Sequence, residues 1–193
     1  MDNQKLPDKI ICVFCSSSEK VDQKYLNMAY DLGKMLSKEG FGLLWGGCNI
    51  GLMNEIARGV KESMNSNYKY IIGVILKDFI ERGLDFKDCN ELIVVENLNE
   101  RKEIMVLKSD AFIVLPGGFG TLDEFFDTLA KKLIGIHNKP IIILNFENYF
   151  GKLFEFFENI YCKGFADIYV KEYYNIVDSI DNLIKILKSK LNN

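Results

Sequence analysis

Short apolar runs alternate along this chain with longer segments in which apolar residues recur every three or four positions, the pattern of buried strands separated by amphipathic helices. The runs at 10–14, 41–45, 70–75, 92–95, 111–115 and 140–144 predict strands. Helices are predicted near 22–38, 51–64, 97–109, 121–135, 148–162 and 179–190. This alternation implies βαβ units, hence an α/β fold with a doubly wound, mostly parallel sheet. No repeat, low-complexity tract or Pro/Gly/Ser-rich linker interrupts it, so residues 1–193 are expected to form one domain. In the helix after Gly120, Leu122, Phe125, Phe126, Leu129, Ala130, Leu133 and Ile134 mark one apolar face, and Lys131 and Lys132 are expected on a solvated one.

Composition narrows the function. A formal net charge of -3 over 193 residues offers no global attraction to nucleic acid or to an anionic membrane, so any phosphate site has to be built locally. No apolar run is long enough to span a bilayer, and the first ten residues lack the core of a signal peptide, which leads to the expectation of a cytoplasmic protein. Five scattered cysteines do not form a disulfide framework. Cys12 and Cys15 make a C-x-x-C, yet in a strand residues three apart face opposite ways, which argues against a redox or zinc pair. His137 is the single histidine, so a zinc site is poorly supplied as well.

Ligands of open α/β sheets bind beyond the carboxyl ends of the strands, where three distinctive turns fall: Ser16-Ser-Ser18, the segment 46–51 (Gly-Gly-Cys-Asn-Ile-Gly) and the segment 116–121 (Pro-Gly-Gly-Phe-Gly-Thr). The last combines glycines at 117, 118 and 120 with a helix start, which suits close approach of a phosphate to free N–H groups. It has neither the lysine of a Walker A loop nor the G-x-G-x-x-G spacing of a dinucleotide fingerprint. Gly46 and Gly47 are candidates to approach a ligand, and the serines either bind one or cap the following helix. Glu124 fits two roles, the end of a capping box begun by Thr121 or a carboxylate poised beside the phosphate site. Arg101 and Lys102 either supply the cation such a carboxylate needs or pair on the surface with Glu100 or Glu103.

Together these residues resemble the LONELY GUY family of cytokinin riboside 5'-monophosphate phosphoribohydrolases, proteins often labelled lysine decarboxylases. The likeness runs nearly end to end: Ile11-Cys-Val-Phe-Cys-Ser-Ser17, Trp45-Gly-Gly, Gly51-Leu-Met53, Arg101-Lys102 with Met105, Pro116-Gly-Gly-Phe-Gly-Thr-Leu-Asp-Glu124 and Gly135-Ile-His-Asn-Lys-Pro140. The resemblance implies a Rossmann-like homodimer that cleaves the N-glycosidic bond of a nucleoside 5'-monophosphate with no metal or organic cofactor, and with Arg101 and Glu124 as catalytic residues. It places Lys102, Gly118, Phe119, Gly120 and Thr121 against the substrate, and Gly117, Ser17, Gly46 and Gly47 join them as candidates on the same rim. A non-catalytic carrier of a nucleotide or cofactor is the alternative, and no lysine stands in a recognisable Schiff-base context for decarboxylation. The chain departs from the family pattern at Asn99, Cys48, Ala130 and the run 131–133, positions that bear on the base rather than on the fold.

Overall fold

The computed structural model describes residues 6–64 and 69–192. Among these residues seven strands, β1 (Ile10–Phe14), β2 (Gly42–Trp45), β3 (Ile71–Leu76), β4 (Glu91–Val95), β5 (Ala111–Val114), β6 (Ile141–Leu144) and β7 (Asn175–Val177), form one parallel sheet in the order β4-β3-β2-β1-β5-β6-β7. The order reverses between β1 and β5, which opens a crevice beyond their carboxyl ends.

Among the described residues seven α-helices accompany the strands: α1 (Gln23–Lys38), α2 (Gly51–Lys61), α3 (Lys77–Glu81), α4 (Leu98–Lys108), α5 (Phe119–Leu133), α6 (Gly151–Cys162) and α7 (Ile180–Leu191). The two faces of the sheet bury separate cores. From β1 and the residue that follows it, Ile11, Val13 and Cys15 pack into the layer of α1, α2 and α7, while Cys12 and Phe14 point into that of α4, α5 and α6. Strands covered on both faces need apolar residues at every position, which is why these runs are continuous rather than alternating. The C-x-x-C cysteines therefore face opposite layers. Burial pushes the thiols of both well above the ordinary cysteine value, so they are protonated and poorly nucleophilic.

The six predicted strands all form, with boundaries shifted by at most one residue. β7 and α3 were not anticipated, having three and five residues and so too few for a periodicity to register. Four helix boundaries move by two residues or more. α2 ends at Lys61, ahead of its predicted end at 64. α5 begins two residues early, at Phe119, and ends two residues early, at Leu133. Residues 146–148 form a 3-10 turn with Glu147 and Asn148 at positive φ, so α6 starts only at Gly151. Lys132 corrects the expectation of a solvated surface: it is buried, its Nζ donating to the Lys139 carbonyl and lying over the Tyr173 ring.

Candidate active site

The loops after β1 and β5 meet across the crevice. None of Ser16, Ser17 and Ser18 caps α1, because Asp22 takes that place and accepts the Lys24 N–H. Ser16 Oγ accepts the Ser18 N–H at 3.0 Å and Ser18 Oγ accepts the Lys20 N–H at 3.2 Å, which leaves both hydroxyl protons available to donate. The loop is fixed from behind by α2, whose Leu52 and Met53 amides donate to the Ser16 carbonyl. Gly51 permits that approach, since its φ is +58° and a side chain there would run into the backbone of Ser17 and Ser18.

Opposite them, α5 begins without any side-chain cap. Its N-cap is Gly118, and Thr121 lies inside the first turn, so the capping box of Thr121 and Glu124 does not form. The first turn of a fifteen-residue helix thus lines the cavity with no side-chain cap on its amides, and the positive end of the helix lies at the cavity wall. The glycines differ in what they serve. A Cβ on Gly117 would strike the Thr121 side chain, whereas on Gly118 or Gly120 it would meet nothing within 4 Å. Packing therefore explains Gly117, while the bare backbone at 118 and 120 is space kept free on the cavity side.

Glu124, one turn into α5, and Arg101, in the first turn of α4, meet in the floor of the cavity. Arg101 Nη1 donates to Glu124 Oε1 at 3.0 Å, and the two side chains are 7% and 6% exposed. Arg101 Nε donates to the Val74 carbonyl at 2.9 Å, while its buried Nη2 has no partner. That Nη2 occupies the place where a Cβ on Gly46 would stand. Burial raises the Glu124 carboxyl to about 7, opposed by Arg101, assisted by neighbouring Asp123 and opposed again by Lys102.

The enclosing cavity has a volume of about 390 Å³. Ser16, Ser17 and Ser18 line one side; Gly118, Phe119, Gly120 and Thr121 line the other, and Arg101 and Glu124 close the base with Cys15, Cys48 and Met53. Phe79, Leu98 and Phe119 form an apolar rim, with Phe119 92% exposed. A larger open groove of about 580 Å³ along β7 and α7 has neither a glycine loop nor a buried ion pair, and chemistry favours the smaller cavity.

Of the sequence candidates, Arg101, Glu124, Ser17 and residues 118–121 are brought together. Lys102 is not, because successive helix residues point about 100° apart. Its ammonium turns to α5, 3.0 Å from Asp123 and 3.6 Å from Asp127. Neither it nor Arg101 pairs with Glu100 or Glu103. Gly46 and Gly47 lie behind the wall, and Gly46 makes room for Arg101 instead of touching the cavity. His137 is also outside it, joined to the Thr128 carbonyl and the Lys139 amide. Sequence reasoning missed Phe79 and Leu98 as lining residues, and it held Cys15 and Met53 only as parts of the family motifs; Cys48, singled out as a departure that bears on the base, does line the cavity.

A family described as "possible lysine decarboxylase" matches residues 53–187. A cytokinin riboside 5'-monophosphate phosphoribohydrolase of Arabidopsis thaliana is 34% identical over 185 residues, covering 96% of this chain and 84% of that protein. A second one from the same plant is 36% identical over 180 residues, covering 93% and 83%. Among solved structures, the molybdenum cofactor binding protein of Rippkaea orientalis aligns with a TM-score of 0.69 and 29% identity over 97% of this chain and 98% of that one.

Proposed function

This chain belongs to the LONELY GUY family, the group whose family model reads "possible lysine decarboxylase", and from that membership we propose that it hydrolyses the N-glycosidic bond of a nucleoside 5'-monophosphate, AMP or a cytokinin riboside monophosphate, to free base and ribose 5-phosphate. The observation that carries the proposal is the buried Arg101–Glu124 pair set in the same cavity as the uncapped start of α5.

The 5'-phosphate sits against the α5 amides and the serine hydroxyls, where its binding energy orients the ribose over Glu124. As the C1'–N bond lengthens, the sugar acquires oxocarbenium character, and a carboxylate beside it lowers the barrier. Water adds to C1', Glu124 accepts one of its protons, and the base leaves on taking up a proton. Arg101 holds Glu124 in place and favours its ionised form. The proposed reaction calls on no metal or organic cofactor and no nucleic-acid or membrane partner, and the proposal takes the protein to be a cytoplasmic homodimer.

The rival reading is a non-catalytic carrier, which the likeness to a molybdenum cofactor binding protein favours. Incubation with AMP, the other nucleoside monophosphates and isopentenyladenosine monophosphate, beside a Glu124→Gln control, separates the two when free base is followed by chromatography. Base released by the unaltered protein alone supports the hydrolase; ligand binding without any release supports the carrier.

A further inference from the structure

The cavity does not end at the phosphate loop. A second space of about 240 Å³ adjoins it, and Ser16, Ser18 and Gly118 line both, forming a waist between two lobes. Arg101 and Glu124 belong to the first lobe only. The second is walled by Val21, Tyr25, Leu52, Pro116 and Tyr149. The Tyr25 and Tyr149 rings meet edge to face at 6.0 Å, making an aromatic corner. Tyr149 donates its hydroxyl proton to the Gly117 carbonyl at 2.8 Å, which holds the ring in place and leaves it no proton to offer the lobe. Apart from the serines at the waist, the walls suit a planar or apolar occupant.

A nucleotide has a fixed order of parts: base, ribose, 5'-phosphate. With the phosphate at the waist and C1' beside Glu124, base and ribose both lie in the first lobe, and nothing of a simple monophosphate reaches the second. We propose that the second lobe receives a group esterified to that phosphate, so that this site accepts nucleotides whose 5'-phosphate carries an aromatic or apolar substituent, as in a phosphodiester or a dinucleotide. The inference rests on the phosphate position given above. A phosphodiester keeps the two unesterified oxygens that the helix amides and serine hydroxyls need, and the added ring gains burial against Tyr25, Val21 and Leu52.

Calorimetric titration of the full-length protein with AMP and with adenosine 5'-phenylphosphate tests this. The phenyl diester is expected to bind at least ten-fold more tightly than AMP. Val21→Phe, which narrows the lobe, and Tyr25→Ala, which removes half of the corner, are each expected to bring the ratio of the two dissociation constants close to one. AMP binding with the diester excluded or merely equal overturns the second lobe and leaves the hydrolase reading standing. A diester preference that both variants leave unchanged overturns it too. Binding of neither ligand overturns the phosphate position and the lobe together.

Discussion

Arg101 and Glu124 stand on different helices, twenty-three positions apart, yet share a 3.0 Å hydrogen bond almost wholly shielded from water. Burial of the carboxylate and the facing guanidinium pull its proton affinity in opposite directions, and burial prevails, leaving Glu124 at about 7. A carboxylate that must be ionised to act then gives kcat/KM an acid limb near pH 7. Glu124→Gln should remove the limb and lower kcat by about 10²–10⁴, measured as base release across pH 5–9 (the range set by that limb).

The same shift has a consequence for stability. A carboxyl whose folded value lies above its ordinary 4.5 binds more protons in the folded state, so its contribution is fully present below about 4.5 and is lost as pH rises through about 7. The melting temperature of the unaltered protein should therefore fall relative to that of Glu124→Gln across this window. A constant difference between the two melting curves would show that Glu124 titrates at its ordinary value.

Gly46 should behave as a positioning residue for Arg101. A methyl group there collides with Nη2 and crowds the Met53 side chain, so Gly46→Ala has to displace the guanidinium or the strand end. Overpacking of this kind costs about 1–3 kcal/mol, readable by urea unfolding. Because Arg101 opposes the burial of Glu124, displacing it should also move the acid limb upward. Loss of stability with an unmoved limb would make Gly46 a packing residue only.

Lys102 and Asp123 act on Glu124 from outside the cavity. Lys102 lowers its proton affinity and Asp123 raises it, while the two bind each other at 3.0 Å. Lys102→Met should therefore shift the acid limb of kcat/KM to higher pH, and Asp123→Asn should shift it to lower pH. Shifts in one common direction would contradict the electrostatic arrangement.

Much of this arrangement is legible in the residues, and what is not has physical causes. Strands buried on both faces announce themselves as apolar runs, and 10–14 or 140–144 needed no tertiary information. β7 needed it, since Asn175, Ile176 and Val177 become a strand only by pairing with β6. Glu124 and Arg101 stood out by motif, but the partner of each is set by the packing of α4 against α5, which no spacing encodes. Adjacent Arg101 and Lys102 read alike in sequence; the helical turn between them sends one into the cavity and the other to Asp123. The capping box failed for a related reason, because α5 begins at Phe119, which makes Gly118 its N-cap and puts Gly120 and Thr121 inside the first turn.

Gly120 offers the sharpest separation of fold from function. It lies in the first turn of α5, has no positive φ, and a Cβ there meets nothing within 4 Å. Replacing a glycine at such a position removes freedom from the unfolded chain, so Gly120→Ala should stabilise the protein by about 0.4–1 kcal/mol. If a phosphate lies against this turn, the new methyl group intrudes on the cavity that Gly120 lines, and the dissociation constant for AMP should rise at least ten-fold, by an energy of about 1.4 kcal/mol or more. Thermal melting and calorimetric titration of the one variant read both effects. A stabilised variant that binds AMP as before would move the phosphate away from α5, and with it the orientation that brings C1' to Glu124.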